Sequence, residues 1–398
     1  MTRRILHLPK WYPNRYDDQD GDFVARHVEA IARVAATDEP LQMAVVFAAV
    51  ARGPLQSLTE CDADWSGPVP TLRYYYRAHP TGLAPLDKVL KLGLYFWCLL
   101  RGYRQLVRHW SAPPQLVHVH VLLRTGLFAW ALKLLRGIPF VVTEHWTLYL
   151  PERAAGIGGL RRWLTRQVVR QAAGLHTVSK GLLEAMRRLG FSNPISVVIA
   201  NVVDTDLFHL ADTPRIPGQL LLVAAFHDAV KNISGVLRVA AALKPQWPQL
   251  QLRVAGYGPD EASLKQLATG LGLLQSGTVL FLGKISQAAV ACEMQQAAVL
   301  VSFSRAETFG CVFLEARATG CPVVAPATGG VPELFQPEGA FGLLVPPDDS
   351  VALTQAITAI LTNSLELDAA TMRADAVARC SYDTVGRQFV AWYAVVLG

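Results

Sequence analysis

The chain is 398 residues long, carries a formal net charge of +6, and is 52% hydrophobic and 17% charged. This length favours two domains, and this composition excludes a disordered, collagen-like or low-complexity chain. The charge is uneven, because residues 1–205 carry 25 Lys and Arg against 15 Asp and Glu, whereas residues 206–398 carry 12 against 16. A basic first half favours phosphates, acidic polymers or an anionic membrane surface as partners.

Short apolar runs alternate with longer amphipathic segments along residues 1–203, which is typical of βαβ units. The runs predicted as buried strands are 5–8, 43–47, 116–121, 140–143, 174–178 and 197–199. The segments predicted as helices between them are 23–34, 86–109, 126–136 and 160–173. This alternation predicts a parallel sheet that helices cover on both faces, and hence a Rossmann-like domain.

The polar segment 203–219, which contains Pro214 and Pro217, is predicted to be the linker between the domains. Beyond it the alternation resumes, with strands predicted at 220–225, 250–255, 279–282, 299–302, 322–325 and 342–345. Helices are predicted at 233–243, 259–267, 287–296, 313–319 and 350–362. We therefore expect two α/β domains, at 1–203 and 204–380. A last helix at 383–396 could close either domain, and we assign residues 381–398 to the first.

No stretch of the sequence predicts a membrane span, a secretory leader or a cysteine-based metal site. The longest strongly apolar run, 92–100, is far shorter than the roughly 20 residues that a bilayer requires, and the first residues lack the apolar core of a signal peptide. No two of the six cysteines are three residues apart, so the sequence has no CxxC pair. Scattered thiols of this kind favour the cytoplasm.

Two short motifs each have an ordinary structural interpretation. The Gly-Tyr-Gly-Pro run at 256–259 follows a strand and resembles half of a dinucleotide fingerprint, but the third glycine is absent. A tight turn before a helix therefore accounts for these residues better than an NAD site does. The Asp-Gln-Asp run at 18–20 could bind a metal, although nothing nearby in the sequence completes a ligand shell.

The segment 302–315 contains a strand end, a loop with Glu307, a glycine at Gly310 and the start of a helix that carries Glu315. Backbone N–H groups at such a helix start can bind an anion, and the helix dipole of about half a charge strengthens that site. Because carboxylates repel phosphate, Glu307 and Glu315 are better suited to bind sugar hydroxyls. A second Gly-rich turn, at 328–333, ends the next strand, so the two turns predict one pocket at the carboxyl edge of the sheet.

Glu307 and Glu315 match the E-x7-E motif of the retaining, GT-B-fold glycosyltransferases called GT4, or glycosyltransferase group 1. The resemblance covers nearly the whole chain and is stronger in its second half. The other segments that resemble family motifs are 11–14 and 21–24, Thr143-Glu144-His145, 199–204 with Phe208, Lys231-Asn232, 254–259 and 328–333. The resemblance implies a GT-B fold, in which two Rossmann-like domains face each other across a deep cleft.

This resemblance also implies roles for individual residues. Glu315 would bind the ribose hydroxyls of a nucleotide, and Glu307 would bind hydroxyls of the donor sugar near its anomeric carbon. Lys231 would neutralise the diphosphate leaving group, and His145 would touch the donor sugar and line the acceptor site. The backbone positions implied in donor binding are Gly21 in the first loop, the amides of Gly310, Cys311 and Val312, and Gly329 and Gly330 in the second turn. No metal or other cofactor is implied, because Lys231 and the helix dipole could stabilise the departing diphosphate.

One position departs from the family pattern. Phe226 stands five residues before Lys231, where the family often has an arginine, so half of the usual cationic clamp is missing. Arg305 or a cation of the first domain would have to replace it. A purely structural role also stays open for two of the implied site residues, because Lys231 could be a solvated lysine at a helix start and His145 could be a buried core histidine.

Two features of the first half each allow two interpretations. His118 and His120 alternate on one strand and could line the acceptor cleft, but packing in the core is favoured. The segment 88–110 mixes basic, leucine and aromatic residues, which suits both an interfacial membrane helix and a buried helix with basic ends. The run at 73–77 adds an aromatic and basic surface, which favours a lipid-linked or anionic acceptor.

Together these observations predict a metal-independent, retaining glycosyltransferase that moves a sugar from a nucleotide-diphosphate sugar to a hydroxyl of a glycan or lipid-linked acceptor. The donor would bind the second domain and the acceptor the basic first domain. That domain could also contact an anionic membrane, which would place the chain peripherally on the inner face of the cytoplasmic membrane; nucleic acid is not expected as a partner. A nucleotide-sugar epimerase of the same fold and a non-catalytic nucleotide-sugar binding protein are the alternatives, and an NAD dehydrogenase is less favoured.

Overall fold

The computed structural model describes residues 3–37, 41–365 and 367–398. Within them the chain forms two compact units, each built on one β-sheet. The first unit contains the described residues up to Val178, together with Leu183–Asn201 and Val385–Gly398. The second unit contains Ser179–Leu182 and Val202–Thr384. In both units helices alternate with mostly parallel strands, so the predicted α/β class is confirmed.

The strands of the first unit are β1 (Arg3–Pro9), β2 (Leu41–Val50), β3 (Thr59–Asp64), β4 (Thr71–Tyr76), β5 (Leu116–His120), β6 (Phe140–Glu144), β7 (Gly174–Thr177) and β8 (Ser196–Val198). They form one sheet in the order β3-β4-β2-β1-β5-β6-β7-β8. Neighbouring strands are parallel except for β3 and β4, which pair antiparallel. All six strands predicted from the sequence are present.

Strands β3 and β4 are not predicted from the sequence. Strand β3 is polar and none of its residues is buried, so it lacks the apolar run by which a buried strand is recognised. The prediction of an aromatic surface at 73–77 is wrong, because Tyr74, Tyr75 and Tyr76 are buried. Tyr74 and Tyr76 contact Gln105 and Tyr95 of the helix that follows this strand, and Tyr75 packs on Tyr16, so both faces of β4 are covered.

The helices that follow these strands are α1 (Asp22–Thr37), α2 (Ala84–Trp110), α3 (Arg124–Arg136), α4 (Pro151–Ala154), α5 (Gly159–Gln171) and α6 (Lys180–Arg188). Helix α1 shows why these segments are helical, since its buried residues recur at the three- and four-residue spacing of an amphipathic helix. Those residues include Val24, His27, Val28, Ile31 and Val34. Helices α4 and α6, which are short, are not predicted from the sequence.

The strands of the second unit are β9 (Ile216–Val223), β10 (Gln251–Ala255), β11 (Val279–Gly283), β12 (Ala297–Val301), β13 (Val323–Pro326) and β14 (Gly342–Val345). They form a parallel sheet in the order β11-β10-β9-β12-β13-β14. All six are predicted. The predicted linker at 203–219 is too long, because β9 begins at Ile216 and Gln219 pairs with Gln251 of β10.

The helices of this unit are α7 (Asp228–Lys231), α8 (Ile233–Leu243), α9 (Glu261–Gly270), α10 (Gln287–Gln296), α11 (Cys311–Ala318), α12 (Ser350–Leu361) and α13 (Ala369–Cys380). Helices α7 and α13 are not predicted from the sequence. Helix α13 does carry a start signal, since the Asp368 side chain accepts hydrogen bonds from the N–H groups of Ala370 and Thr371.

Helix α14 (Tyr382–Leu397) belongs to the first unit from Val385 onward. A Cβ at Gly386 would lie 2.3 Å from the carbonyl oxygen of Ala30, so glycine is what lets α14 approach α1 so closely. Phe389 and Tyr393 are buried, and the Tyr393 hydroxyl lies 2.5 Å from Nδ1 of His118 on β5. The helix therefore completes the core of the first unit.

Gly256 brings the turn after β10 directly against the turn after β9. Its φ is +140°, and a Cβ at this position would lie 1.8 Å from the carbonyl oxygen of Ala224. Gly258 is under a similar constraint, because its Cβ would lie 2.6 Å from the carbonyl oxygen of Phe226. Packing alone thus explains both glycines, as the tight-turn interpretation of 256–259 expects.

We expect Gly256→Ala to lower the free energy of unfolding by about 2 kcal/mol or more, because alanine is strained at this φ and its methyl group would overlap a carbonyl oxygen. Urea unfolding followed by circular dichroism measures the change. Gly270→Ala is the matched control, since a Cβ there meets nothing within 4 Å. Equal stability of the two variants would contradict this account of the turn.

Candidate active site

The loop between β12 and α11 carries Glu307, and α11 carries Glu315, as predicted. Gly310 ends this loop with a φ of +86°, and a Cβ there would lie 2.4 Å from the ring of Phe313. Glycine is therefore required for the chain to enter α11 at this angle. Both carboxylates are largely shielded from solvent, with the Glu307 side chain 12% exposed and Glu315 6% exposed.

Lys231 and Glu307 form an ion pair in which Nζ donates to Oε2 over 2.5 Å. Lys231 is the last residue of α7, and the backbone binds this helix to the Glu307 loop, because Arg305 N donates to Val230 O at 2.7 Å. Only 25% of the Lys231 side chain is exposed. The interpretation of Lys231 as a solvated lysine therefore does not fit, and the lysine stands at the loop that the E-x7-E motif marks.

The second Gly-rich turn packs directly on the same loop. Gly330 N donates to the carbonyl oxygen of Glu307 at 3.3 Å. A Cβ at Gly330 would lie 2.3 Å from the carbonyl oxygen of Thr308, and Gly329 has a φ of +55°. The two turns therefore lie together at the carboxyl ends of β12 and β13, where open α/β sheets bind ligands.

Two residues that the sequence analysis does not single out hold this arrangement together. Ser179 Oγ donates to the carbonyl oxygen of Thr308 at 2.7 Å. The carboxylate of Glu333, in the second turn, accepts from Lys180 N at 2.9 Å and from Gly181 N at 2.5 Å. Glu333 is the last residue of the Gly-rich motif at 328–333, so the sequence does mark it. No local sequence pattern marks Ser179.

The Phe226 side chain is fully buried in the hydrophobic core of the second unit, whereas its neighbour Ala225 is exposed. An arginine at 226 would place a charge in that core, so it could not restore the missing half of the clamp. Arg305 is already engaged, since its Nε donates to Asp348 Oδ1 at 2.8 Å.

In the first unit, Glu144 holds the turn that carries His145. Its buried carboxylate accepts hydrogen bonds from the N–H groups of Leu122, His145 and Trp146, each at 2.9 Å. Burial raises the pKa of Glu144, and these donors together with Lys10 lower it in part. Glu144 is thus a positioning residue that the sequence analysis quotes only as part of a motif.

The backbone conformation and packing at position 21 require a glycine. Its φ is +65°, and a Cβ there would lie 2.3 Å from the backbone carbonyl carbon of Trp11. Nearby, the carboxylate of Asp20 accepts from Asn14 Nδ2 at 3.2 Å. The role of Gly21 in holding a diphosphate stays a prediction.

Six histidines are buried together in the first unit, in β1, α1, β5, β7 and the residue after β6. They are His7, His27, His118, His120, His145 and His176. The rings of His118 and His120 stack with centroids 4.0 Å apart, and His118 also contacts Thr143 Oγ1 at 2.6 Å. These contacts agree with the packing interpretation of His118 and His120.

His145 has features of both a core histidine and a ligand-binding one. It is 7% exposed, and neither ring nitrogen has a hydrogen-bond partner within the described part of the chain. Two histidine triads could hold a metal ion, because their ligand atoms lie within 4.8 Å of one another. They are His7 with His118 and His120, and His27 with His120 and His145.

We expect the free energy of unfolding to decrease as the pH falls below 6.5. Burial lowers the pKa of His7 to about 3 and that of His176 to about 4, whereas an unfolded histidine titrates near 6.5. The unfolded state therefore binds more protons in this window, and acid favours it. Urea unfolding between pH 6.5 and about 5, above most carboxylate pKa values, measures the slope.

The matched variants separate the buried histidines from the remaining titrating groups. His7→Asn should reduce the slope, whereas His109→Gln, at an exposed position of α2, should leave it unchanged. A stability that does not vary across this window would show that the buried histidines are protonated in the folded state.

Two family models match the chain. "Glycosyl transferases group 1" matches residues 217–376, and "Glycosyl transferase 4-like domain" matches residues 24–201. The phosphatidyl-myo-inositol mannosyltransferase of Mycobacterium leprae is 28% identical over 298 residues, which are 73% of this chain and 76% of the relative. The alpha-maltose-1-phosphate synthase of Mycolicibacterium smegmatis is 30% identical over 278 residues, 63% of this chain and 70% of the relative.

Solved structures share the fold at low sequence identity. The sucrose-phosphate synthase of Thermosynechococcus elongatus has a TM-score of 0.76 at 22% identity and covers 99% of both chains. Anabaena HepE, solved in complex with UDP, has a TM-score of 0.72 at 18% identity over 98% of this chain and 100% of its own. The predicted family and fold are therefore confirmed: the chain belongs to the glycosyltransferase group 1 family, GT4, has the GT-B fold and is a glycosyltransferase.

Proposed function

We propose that this glycosyltransferase transfers a sugar from a nucleoside diphosphate sugar to a hydroxyl of a glycan or lipid-linked acceptor. The transfer would retain the anomeric configuration and need no metal ion. The observation that carries the proposal is the 2.5 Å contact between Lys231 and Glu307, next to the start of α11 and the Gly330 turn. It combines a cation for a leaving diphosphate with a carboxylate for sugar hydroxyls.

The surroundings of Lys231 support a diphosphate at this place. The first amides of α11, at Cys311 and Val312, directly follow Gly310 at the helix start, where backbone N–H groups and the helix dipole favour an anion. Lys231 would neutralise the charge that develops as the bond between the sugar and the diphosphate breaks. The acceptor hydroxyl would form the new bond on the same face of the sugar, and its proton would leave with the diphosphate.

The two carboxylates would bind different parts of the donor. Glu315, buried on α11, would accept hydrogen bonds from the ribose hydroxyls, and Glu307 would accept them from the sugar. A uridine nucleotide is the first donor to test, because the fold is shared with Anabaena HepE, which was solved with UDP and with UDP and glucose. The relative in Mycobacterium leprae is named for transfer of mannose to phosphatidyl-myo-inositol, which supports a lipid-linked acceptor.

Helix α2 supports contact with a membrane surface. Its first half exposes Leu86, Val89 and Leu92 beside the cations Lys88 and Lys91. Its buried residues, such as Tyr95 and Leu99, pack on the sheet, so one helix combines a buried face with an interfacial one. An apolar and basic surface of this kind suits the anionic inner face of the cytoplasmic membrane. Across the described residues, no helix is long and apolar enough to cross a bilayer.

We expect Lys231→Ala to lower kcat/KM for the donor by more than about tenfold, which is about 1.4 kcal/mol, because the diphosphate loses its cation. Glu315→Ala should instead raise the Kd of the nucleoside diphosphate, because the ribose loses its acceptor. Thermal shift with UDP, GDP and ADP identifies the nucleotide, and hydrolysis of its sugar conjugates gives kcat/KM without a known acceptor.

Lys265→Ala is the matched control, since Lys265 is exposed on α9 and paired with Glu261 in the same helix. It should behave as the wild type does. The assignment fails if Lys231→Ala hydrolyses the donor as fast as this control, because different groups would then hold the diphosphate.

Removal of divalent metal ions should leave the rate of transfer or donor hydrolysis unchanged, because Lys231 and α11 provide the positive charge. The rate is measured after treatment with EDTA and dialysis, with elemental analysis of the protein as the control for removal. Loss of activity that Mg²⁺ or Mn²⁺ restores would contradict the proposal and direct attention to Asp18 and Asp20. Loss that only Zn²⁺ restores would direct it to the histidine triads.

A further inference from the structure

The first unit contains a cavity of about 300 Å³ beside the ends of β1, β2 and β4. Three cations line it: Lys10 after β1, Arg52 after β2, and Arg124 at the start of α3. The carboxylate in its lining is Asp20, and aromatic rings such as Trp11 and Tyr95 form part of its wall. Its volume lies at the small end of the roughly 300–1,000 Å³ range of small-molecule sites.

None of these three cations forms an ion pair within the described part of the chain. Lys10 Nζ instead lies over two indole rings, 3.4 Å from the centroid of Trp146 and 4.4 Å from that of Trp11. Arg124 lies over the ring of Tyr95 at 5.8 Å. Neutral rings therefore contact Lys10 and Arg124 in place of a paired carboxylate.

The cations face the same space. Burial lowers the pKa of Lys10 to about 8; Glu144 raises it, and repulsion from Arg161 and Arg124 lowers it further. Burial, followed by Asp17, raises the pKa of Asp20, whereas Arg52 lowers it. The lining thus holds three cations and one carboxylate, a net charge of +2 in a partly enclosed site, and the buried Glu144 offsets part of the charge of Lys10.

Arg124 is the first residue of α3, and hydrogen bonds hold the backbone of the turn before it. The preceding residue, Leu123, has a φ of +75°, and Val121 has a φ of +70° although it is β-branched. The side chain of Glu144 accepts from Leu122 N at 2.9 Å, and Thr125 Oγ1 donates to Val121 O at 2.8 Å. These bonds keep the strained turn in one conformation and so fix the backbone from which the Arg124 side chain extends.

We propose that this cavity binds the phosphate group of a phosphate-bearing acceptor, with Lys10, Arg52 and Arg124 as its ligands. The inference rests on the proposed function in one respect, since it takes the occupant to be the acceptor of the sugar. A lining with a net charge of +2 suits a phosphate monoester, and guanidinium groups can bind its oxygens in pairs. The aromatic wall would contact the apolar face of a polyol attached to that phosphate.

The phosphate could belong to a lipid headgroup or to a soluble molecule. Tyr95 of the cavity wall and the exposed Leu86 lie on the same helix, α2, nine residues or about 14 Å apart along its axis. A headgroup could therefore enter the cavity while α2 rests on the membrane. A soluble phosphate would bind the same cations without that contact.

The test measures binding by the full chain in the absence of donor. Isothermal titration calorimetry compares glycerol 1-phosphate with glycerol, using the wild type, the double variant Arg52→Gln/Arg124→Gln and the control Arg136→Gln. Arg136 is exposed at the other end of α3. Thermal unfolding of each variant verifies that it is folded. Because Arg52 and Arg124 are exposed, we expect their replacement to leave the fold intact.

We expect the wild type and Arg136→Gln to bind glycerol 1-phosphate and not glycerol, and the double variant to lose at least about tenfold in affinity. Equal binding of glycerol, absence of binding to the phosphate, or an unchanged double variant would each overturn the proposal. Because no donor is present, these outcomes do not depend on whether the chain transfers sugar from a nucleotide. Conversely, a chain that fails to use any nucleotide sugar could still show the phosphate site.

Vesicles identify the source of the phosphate. Co-sedimentation compares phosphatidylcholine vesicles with and without phosphatidic acid, whose headgroup is a phosphate monoester, using the same variants and Lys88→Gln/Lys91→Gln, which removes the surface cations of α2. Binding to phosphatidic acid that the cavity variant loses supports a lipid headgroup. Loss of glycerol 1-phosphate binding with unchanged vesicle binding supports a soluble phosphate.

Discussion

The ion pair between Lys231 and Glu307 is the interaction on which the rest of the candidate active site depends. Both side chains are largely withdrawn from water. Separating them would therefore leave each charge shielded from solvent and without a partner. The loop that carries Glu307 is fixed in turn by Gly330 N and by the hydroxyl of Ser179. An anion that takes the ammonium of Lys231 must therefore compete with a carboxylate already in place, which favours ligands that also satisfy Glu307 with hydroxyl donors.

Local patterns in the sequence were enough to predict the strands that carry this site and its two carboxylates. The reason is that strand ends, glycines with positive φ and helix starts are decided by neighbouring residues. Ser179 and Glu333 act over longer distances, because Ser179 bonds a residue 129 positions away and Glu333 binds an amide 153 positions away. The orientation of Phe226 could not be predicted from the sequence for a related reason: packing against the adjacent turn decides whether Ala225 or Phe226 faces the core.

The buried histidines illustrate what spacing along a chain cannot show. Strands β1, β5, β6 and β7 are neighbours in the sheet although more than a hundred residues separate the first from the second. Their carboxyl ends therefore bring distant histidines into one core, where desolvation keeps them neutral. Hydrogen bonds such as His118 to Tyr393 then satisfy part of their polar atoms, which makes this core more dependent on polar contacts than an aliphatic one.

The position of α14 has a consequence for the synthesis of the protein. Residues 385–398 belong to the first unit but are the last of this sequence to leave the ribosome, after the whole second unit. Until they emerge, Ala30 and Val34 of α1 lack the helix that packs on them, and His118 lacks the hydroxyl of Tyr393. The nascent first unit therefore exposes an apolar face during synthesis of the second unit. A chaperone would have the most surface to bind at this stage.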